Sequence, residues 1–408
     1  MDIHFLGAAR EVGRSAVLLK TDVSVLLDYG VKMIGEDRYP ERFSDRVDAV
    51  LLSHAHLDHS GYIPALYQYS KPSFYSTPPT MEIASVLFND SIKLSNGEIY
   101  KKKDVEKAKK NWLPMIYRQE LRMGQTRFRW YDAGHILGSS MIEAEFQGKK
   151  LLYTGDIKDE QMQLHNGYSY KGECDYLLIE STYSYKDHPP RKEVEKALAE
   201  LVREYLEKGF PVIFPAFAVG RAQELIMIMH EHLPEAKVYV DGMAKDVSAI
   251  YMRYPEYLSK GVEFAKAYRS TKPVKSNADR ERALKGANVI VTTAGLLEGG
   301  PVLGYIERAP KNAAIVLTGF PIPGTNASLL LENSTLQMEE GLMKVDQAVR
   351  YMDLSAHIGK EGLLKLINST NPEKIFLMHG DHCDEFAAEL KEEGWDAIAP
   401  KVGERYNL

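Results

Sequence analysis

The sequence predicts an α/β protein in two parts: a first domain of strands that end in candidate metal ligands, and a parallel-sheet domain inserted into it. Three observations predict this. Short apolar strand candidates in residues 1–60 and 126–180 each stop at a His, Asp or Glu beside a glycine or turn. Between 181 and 356, strand patterns alternate with amphipathic helical ones, as a parallel sheet requires. After residue 356 the earlier chemistry returns at His357 and His379. The tail is therefore expected to fold back onto the first domain.

The bulk numbers set the frame. At 408 residues the chain is long enough for two or three domains of roughly 150 residues each. Apolar residues at 44% and charged ones at 26% suit a sizeable globular core. A net charge of -6 gives no global sign of nucleic-acid binding, although cations held in a site recruit phosphate without a basic surface. Only Cys174 and Cys383 are present, which excludes a disulfide framework and a cysteine-built zinc ribbon and makes a reducing, cytoplasmic setting the default. Met1–Gly7 lacks the pattern of a signal peptide and reads as the start of the first strand. No apolar run reaches about 18 residues, so no membrane span is expected.

In chain order, Ile3–Leu6, Ser15–Leu19 and Val23–Gly30 read as strands broken at small residues. Asp28 near the end of the third reads either as a turn residue or as a carboxylate that orients a ligand imidazole. The apolar run Ala49–Leu52 then leads into Ser53-His54-Ala55-His56-Leu57-Asp58-His59-Ser60-Gly61. Three imidazoles and a carboxylate within six residues, in a chain with twelve histidines, mark a metal loop. His54 and His56 can face one ion while Asp58 and His59 turn toward a second.

Residues 61–125 read as helical, and the lysines between Lys101 and Lys110, interleaved with Asp104 and Glu106, read as a solvated face. Strand patterns at 126–131, 139–146, 150–154 and 176–179 bring His135, Asp156 and Glu180 near strand ends. The inserted block opens with a helix from Arg191 to Lys208 and continues with a helix from about Gly220 to Leu233. Its strand candidates are 211–214, 237–240, 288–292 and 313–317. Glycines in its loops, at Gly220-Arg221, Gly299-Gly300 and Gly324-Thr325, permit tight turns and close approach of backbone to a phosphate. The moderately basic stretch Lys266 to Arg282 reads as solvated. Ser355-Ala356-His357, a helix from about Lys360 to Asn368, and a strand Lys374–Met378 running into His379-Gly380-Asp381-His382 complete the chain.

This constellation resembles a known family. His54-x-His56-x-Asp58-His59, with Asp28 before it and His135 and Asp156 after it, is similar to the metallo-β-lactamase fold. Glu180, His357 and His379 resemble the three extra motifs of the β-CASP nucleases. Pro215-Ala216-Phe217-Ala218-x-Gly220-Arg221-x-Gln223-Glu224 and Leu296-x-x-Gly299-Gly300-Pro301 resemble segments of that family's inserted domain, so the likeness covers nearly the whole chain. It is nearest to archaeal relatives of the cleavage and polyadenylation specificity factor nuclease, in the short form without KH domains, and next to ribonuclease J.

The resemblance implies an αββα sandwich from residues 1–180 and 357–408, carrying an inserted Rossmann-like β-CASP domain at 181–356. It implies two Zn2+ ions, with Mn2+ or another divalent ion as substitute. His54, His56 and His135 would bind one and Asp58, His59 and His379 the other, with Asp156 bridging and Asp28 behind the ligands. Asp58, His357 and Glu180 would be catalytic, His357 lying beside the scissile phosphate and held by Glu180. Arg221, Ser355, Gly299, Gly300 and Thr325 would contact phosphate or RNA. The implied activity is hydrolysis of single-stranded RNA, internally, from the 5′ end, or both, by a hydroxide bridging the ions, in a cleft between the domains. DNA ranks behind RNA; a homodimer or an RNA-processing complex is compatible, and no membrane is. A weakly active or inactive RNA-processing scaffold is the alternative, followed by a small-molecule metallo-hydrolase. Two departures stand out. Ile358 and Gly359 follow His357 where the family carries an Asp two residues on, and Asn326-Ala327-Ser328 replaces a Gly-Arg, removing a cation from the phosphate track.

Overall fold

The computed structural model describes residues 1–408, which divide into two compact units. The first comprises Met1–Glu160, Asn166–Asp187 and His357–Leu408; the second comprises Gln161–His165 and His188–Ala356. Relative to the boundaries read from the sequence, 181–187 stays with the first unit and 161–165 goes with the second. A buried polar lock explains the latter. The Glu224 carboxylate accepts the backbone N–H groups of Gln163 and Leu164 at 3.0 and 2.8 Å, and Gln163 Nε2 donates to Glu195 at 2.7 Å. Arg191 ties the two carboxylates together at 2.7 Å each. All of these side chains are buried. Charged residues are read as solvated from sequence, so such a cluster is invisible there.

In the first unit two seven-stranded sheets face each other. One runs in the order Arg405–Asn407, Asp2–Gly7, Ala16–Lys20, Ser24–Leu27, Ala49–Leu51, Ser73–Ser76, Trp112–Pro114. The other runs Ala397–Ile398, Lys374–Met378, Tyr176–Glu180, Lys149–Tyr153, Ser140–Phe146, Thr126–Asp132, Glu120–Met123. Alternation along the strands sends Phe5, Val17, Leu19 and Leu27 inward to meet Phe128, Trp130, Ile142 and Phe376, forming one apolar layer. The opposite face of the second sheet packs Leu177, Ile179 and Leu377 against Leu363, Leu366 and Phe386 of the helices Lys360–Thr370 and Cys383–Glu392. Two facing sheets with helices outside the second are the layers expected of the αββα sandwich.

The sequence pattern located the long apolar strands but missed Ser73–Ser76, Trp112–Pro114 and Glu120–Met123 in the stretch read as helical. Each has three or four residues and carries Ser, Pro, Glu or Arg, so no apolar alternation develops.

The second unit is built on a six-stranded sheet, in the order Lys272–Pro273, Lys237–Asp241, Asn288–Thr292, Val212–Pro215, Ala314–Leu317, Ala348–Tyr351. Every pairing in it is parallel, which gives the Rossmann-like character. The central strand Val212–Pro215 is buried along its whole length. The edge strands at 272–273 and 348–351 and the hairpin Thr335–Met338/Gly341–Lys344 escaped the sequence reading, being short and half exposed. No helix of the protein is long and apolar enough to cross a membrane.

Candidate metal centre

Strand direction gathers the site. Lys149–Tyr153, Tyr176–Glu180 and Lys374–Met378 are parallel neighbours, with Glu180 in register with Met378. Their C-terminal ends therefore lie on one edge, where the chain continues into Asp156, ends at Glu180 itself and continues into His379. The strand Ser140–Phe146 runs the other way, so the His135 loop that precedes it starts from the same edge. In the facing sheet Ser24–Leu27 and Ala49–Leu51 are also parallel and release Asp28 and the loop from Ser53.

Close backbone approach holds the histidine loop in place. Ser15 N donates to the Asp58 carbonyl at 2.7 Å and Tyr29 N to the His59 carbonyl at 2.8 Å. A Cβ on Gly30 would lie 1.7 Å from the Asp58 oxygen, so only glycine fits. Asp28 and His379 adopt the left-handed conformation, with φ of 58° and 53°. Their own N–H groups are fixed on the Leu51 and Ala8 carbonyls at 3.1 and 2.7 Å.

Seven side chains converge. One group is His54, His56, His135 and Asp156; the other is Asp58, His59, Asp156 and His379; within each, the candidate ligand atoms lie within 4.8 Å of one another. Asp156 divides its carboxylate between them. Its Oδ2 lies 3.4 Å from His54 Nε2 and 3.8 Å from His135 Nε2, while Oδ1 lies 3.2 Å from His59 Nε2 and 3.3 Å from His379 Nδ1. Asp58 approaches His379 Nε2 at 3.3 Å.

These atoms fit a cation. His54 Nε2 and Asp156 Oδ1 are buried with no hydrogen-bond partner. Leaving such atoms unsatisfied costs about 1–3 kcal/mol each, which a shared ion removes. Burial, then the neighbouring His59, pulls His54 well below the ordinary imidazole range, and burial also lowers His56. Both are thus neutral, the form that ligates. Burial opposes the charge on Asp156, yet His379 and His59 outweigh it and hold the carboxyl well below its usual range.

Asp28 stands directly behind this cluster. Its Oδ2 takes His59 Nδ1 at 2.7 Å, the Ser53 hydroxyl at 2.6 Å and the Tyr153 hydroxyl at 2.8 Å, and Oδ1 takes Ser53 N at 2.6 Å. It therefore sets the His59 ring and aims Nε2 at Asp156. Asp28→Ala should weaken divalent-ion affinity about 10–100-fold, read by competition with a chelating dye.

His357 and Glu180 form a second layer on the same edge. His357 Nδ1 lies 2.9 Å from Glu180 Oε2 and 4.0 Å from Asp156 Oδ2. Glu180 is held in turn by Ile157 N at 2.6 Å and the Thr182 hydroxyl at 2.6 Å, and Lys158 Nζ donates to the His357 carbonyl at 3.0 Å. Burial disfavours the charged ring, but Glu180 and Asp156 outweigh it and push His357 up to about 9. The sequence reading missed Ser53, Tyr153, Lys158 and Thr182. All four lie within three residues of a named site residue, the only local signal they carry.

The five residues expected at RNA lie in the second unit. Arg221 opens the helix Arg221–His232 and its guanidinium donates to the Leu354 carbonyl. Ser355 N bonds to Asp353 Oδ1 at 3.0 Å. Gly299 and Gly300, with φ of 151° and 79°, lead into the helix Pro301–Arg308. Thr325 is fully buried and caps the helix Asn326–Asn333: its hydroxyl donates to the Ile322 carbonyl at 2.6 Å and accepts from Ser328 N at 3.4 Å. The departing residues have structural duties. Asn326 bonds to the carbonyls of Leu297 and Gln337 at 3.0 Å each, Ile358 packs in the core, and Gly359 starts the helix Lys360–Thr370.

Three family models match successive parts of the chain: a metallo-beta-lactamase superfamily domain over 17–178, a Beta-Casp domain over 222–330, and a Zn-dependent metallo-hydrolase RNA specificity domain over 343–400. The chain is 36% identical to "Probable RNase MJ4" of Methanocaldococcus jannaschii, over 100% of both chains. It is 34% identical to "RNase aCSPSF2" of Saccharolobus solfataricus, over 100% of this chain and 85% of that one. It is 33% identical to "Transcription termination factor FttA" of M. jannaschii, over 94% of this chain and 68% of that one. Among solved structures, a protein of unknown function from Enterococcus faecalis shares the fold, with a TM-score of 0.65 at 14% identity over 100% of this chain and 99% of that one. With full-length likeness to archaeal RNases, three successive domain models and a buried His/Asp cluster at the sandwich edge, the chain belongs to the β-CASP ribonuclease family of metallo-β-lactamase-fold hydrolases.

Proposed function

We propose that this chain is a ribonuclease that hydrolyses phosphodiester bonds of single-stranded RNA, internally, from the 5′ end, or both. The observation that carries the reading is the division of Asp156 between two imidazole groups, with the His357–Glu180 pair beside it. His54, His56 and His135 would hold one divalent ion and Asp58, His59 and His379 a second, with Asp156 shared; zinc suits this donor set, and manganese or another divalent ion is the substitute. Ions held by these residues would supply Lewis acidity, lowering the pKa of water and offsetting negative charge on the phosphoryl oxygens.

The protein's own groups handle the rest. Glu180 holds Nδ1 of His357, which leaves Nε2 as the atom that passes a proton to the departing ribose oxygen. Asp28 fixes the ring that faces the second ion. The RNA specificity domain matched over 343–400, and the RNases among the relatives, support RNA rather than DNA as the substrate. A reducing cytoplasm suits the two buried free thiols, and a homodimer or an RNA-processing assembly belongs to the same reading.

The test uses 5′- and 3′-end-labelled RNA with matched DNA and metal-loaded protein. RNA should shorten, EDTA should stop it, and DNA should survive. The label on which short products first appear separates trimming from internal cutting. RNA left intact by protein loaded with both ions would end this proposal.

A further inference from the structure

A file of rings leads outward from His357 within the first unit. Tyr183 lies 6.1 Å from His357 between ring centroids, Tyr185 lies 6.1 Å from Tyr183 at 27°, and His382 lies 4.6 Å from Tyr185 at 48°. The first step is buried and the last is open: Tyr183 is 4% exposed, Tyr185 45%, and the His382 side chain 47%. Lys186 Nζ sits 5.2 Å from the Tyr183 ring and 5.7 Å from the Tyr185 ring.

The backbone explains why these rings meet. Tyr185 and His382 stand on the loops that leave two adjacent parallel strands, Tyr176–Glu180 and Lys374–Met378, at the edge that carries Glu180 and His379. Turns from Ser184 N to the Ser181 carbonyl at 3.2 Å and from Lys186 N to the Tyr183 carbonyl at 3.3 Å shape the first loop. His382 is set by the helix Cys383–Glu392 that it precedes. Neither ring belongs to the ion cluster.

We propose that Tyr185 and His382 form a stacking platform for one nucleobase of the RNA strand whose phosphodiester lies at His357. This rests on the ribonuclease reading and deepens it. An exposed tyrosine paired with an imidazole offers π-faces that accept any base, and such stacking is the usual sequence-tolerant grip on single strands. The charges nearby select the base rather than the backbone. Asp187 and Asp381 are exposed and Glu385 lies 3.8 Å from His382, while Lys186 over the tyrosines is the local cation. Three carboxylates beside the rings disfavour a phosphate there more than a neutral base, and Lys186 over the rings adds a cation–π contact. The buried Tyr183 connects the platform to His357, so a stacked base would fix the register of the strand against the reacting groups.

The test uses the metal-loaded full chain and single-stranded RNA oligonucleotides with one abasic ribose moved along the strand. Tyr185→Ala should raise Kd and KM about tenfold, the effect of losing one base–aromatic stack. The loss should fall on KM more than on kcat, and Tyr185→Trp should restore it. The salt dependence of binding should stay the same, because no phosphate contact is removed. Wild type should lose the same factor at one abasic position, and Tyr185→Ala should be indifferent to that position. Unchanged affinity in both Tyr185→Ala and His382→Ala, with wild type still binding and cutting RNA, would overturn the platform alone. So would a variant as sensitive as wild type to every abasic position. Wild type that neither binds nor cuts RNA would overturn both readings together.

Discussion

Asp156→Ala is expected to abolish RNA cleavage and to strip the protein of its ions. Asp156 is the one side chain in both ligand groups, with one oxygen 3.4 Å from His54 and the other 3.2 Å from His59. Removing it takes the shared carboxylate from both candidate groups and leaves closely packed imidazoles facing each other. His54 and His59 ring centroids are 4.1 Å apart, and those of His59 and His379 are 4.8 Å apart. Each ion is worth several kcal/mol of charge stabilisation, so activity should fall by about 10³-fold or more. Elemental analysis gives an independent readout, from two ions per chain in wild type to fewer than one. Added zinc should stabilise the wild type by about 2.7 kcal/mol for each ion at a hundredfold excess over Kd, read as a higher melting temperature, and should leave the variant unmoved. A variant that kept both ions and a cleavage rate within tenfold of wild type would show that Asp156 does not bridge.

His357→Ala should separate proton transfer from metal binding. His357 lies outside the two groups that combine six other ligands with Asp156. Its own candidate group with Asp156 and Glu180 adds no ligand to either of them, so the ions of those two groups should stay bound. Losing a positioned general acid typically costs about 10²–10⁴-fold, and that range is expected in kcat. Glu180→Gln should cost less, since an amide oxygen still accepts from Ile157 N, which donates to Glu180 at 2.6 Å. Cleavage within twofold of wild type in His357→Ala, or a parallel loss of ions, would remove His357 from the role assigned to it.

Much of the site is legible in sequence because the chemistry leaves few options. A cluster of His and Asp beside an apolar strand has little use other than a metal, and recurring strand ends mark where the chain turns back toward one edge. The side chains that tune the site are less legible. Tyr153 holds Asp28 across 125 residues, and Lys158 holds the His357 carbonyl across 199. Nothing about a lone Tyr or Lys announces such a partner. The Arg191–Glu195–Glu224 lock likewise reads as ordinary surface charge until its burial is known. Short strands such as Trp112–Pro114 exist because neighbours complete their ladders, here Ser73–Ser76 on one side, and not because their own residues insist on it.

By itself, then, the sequence determined the two-part α/β organisation with its parallel insertion and the residues that could bind ions, while the αββα sandwich followed only from the family resemblance. Periodicity and ligand chemistry are local properties of the chain. The tertiary structure decided the geometry that brings these side chains together. Lys149–Tyr153, Tyr176–Glu180 and Lys374–Met378 are parallel neighbours in register, so Asp156 and His379 leave the same edge, where Asp156 turns one oxygen toward His54 and the other toward His59. The same register places Tyr185 beside His382, residues 197 positions apart, by the simple difference of their numbers. Pairing of distant strands is set by burying both sheet faces at once, a condition that no short stretch of sequence can express.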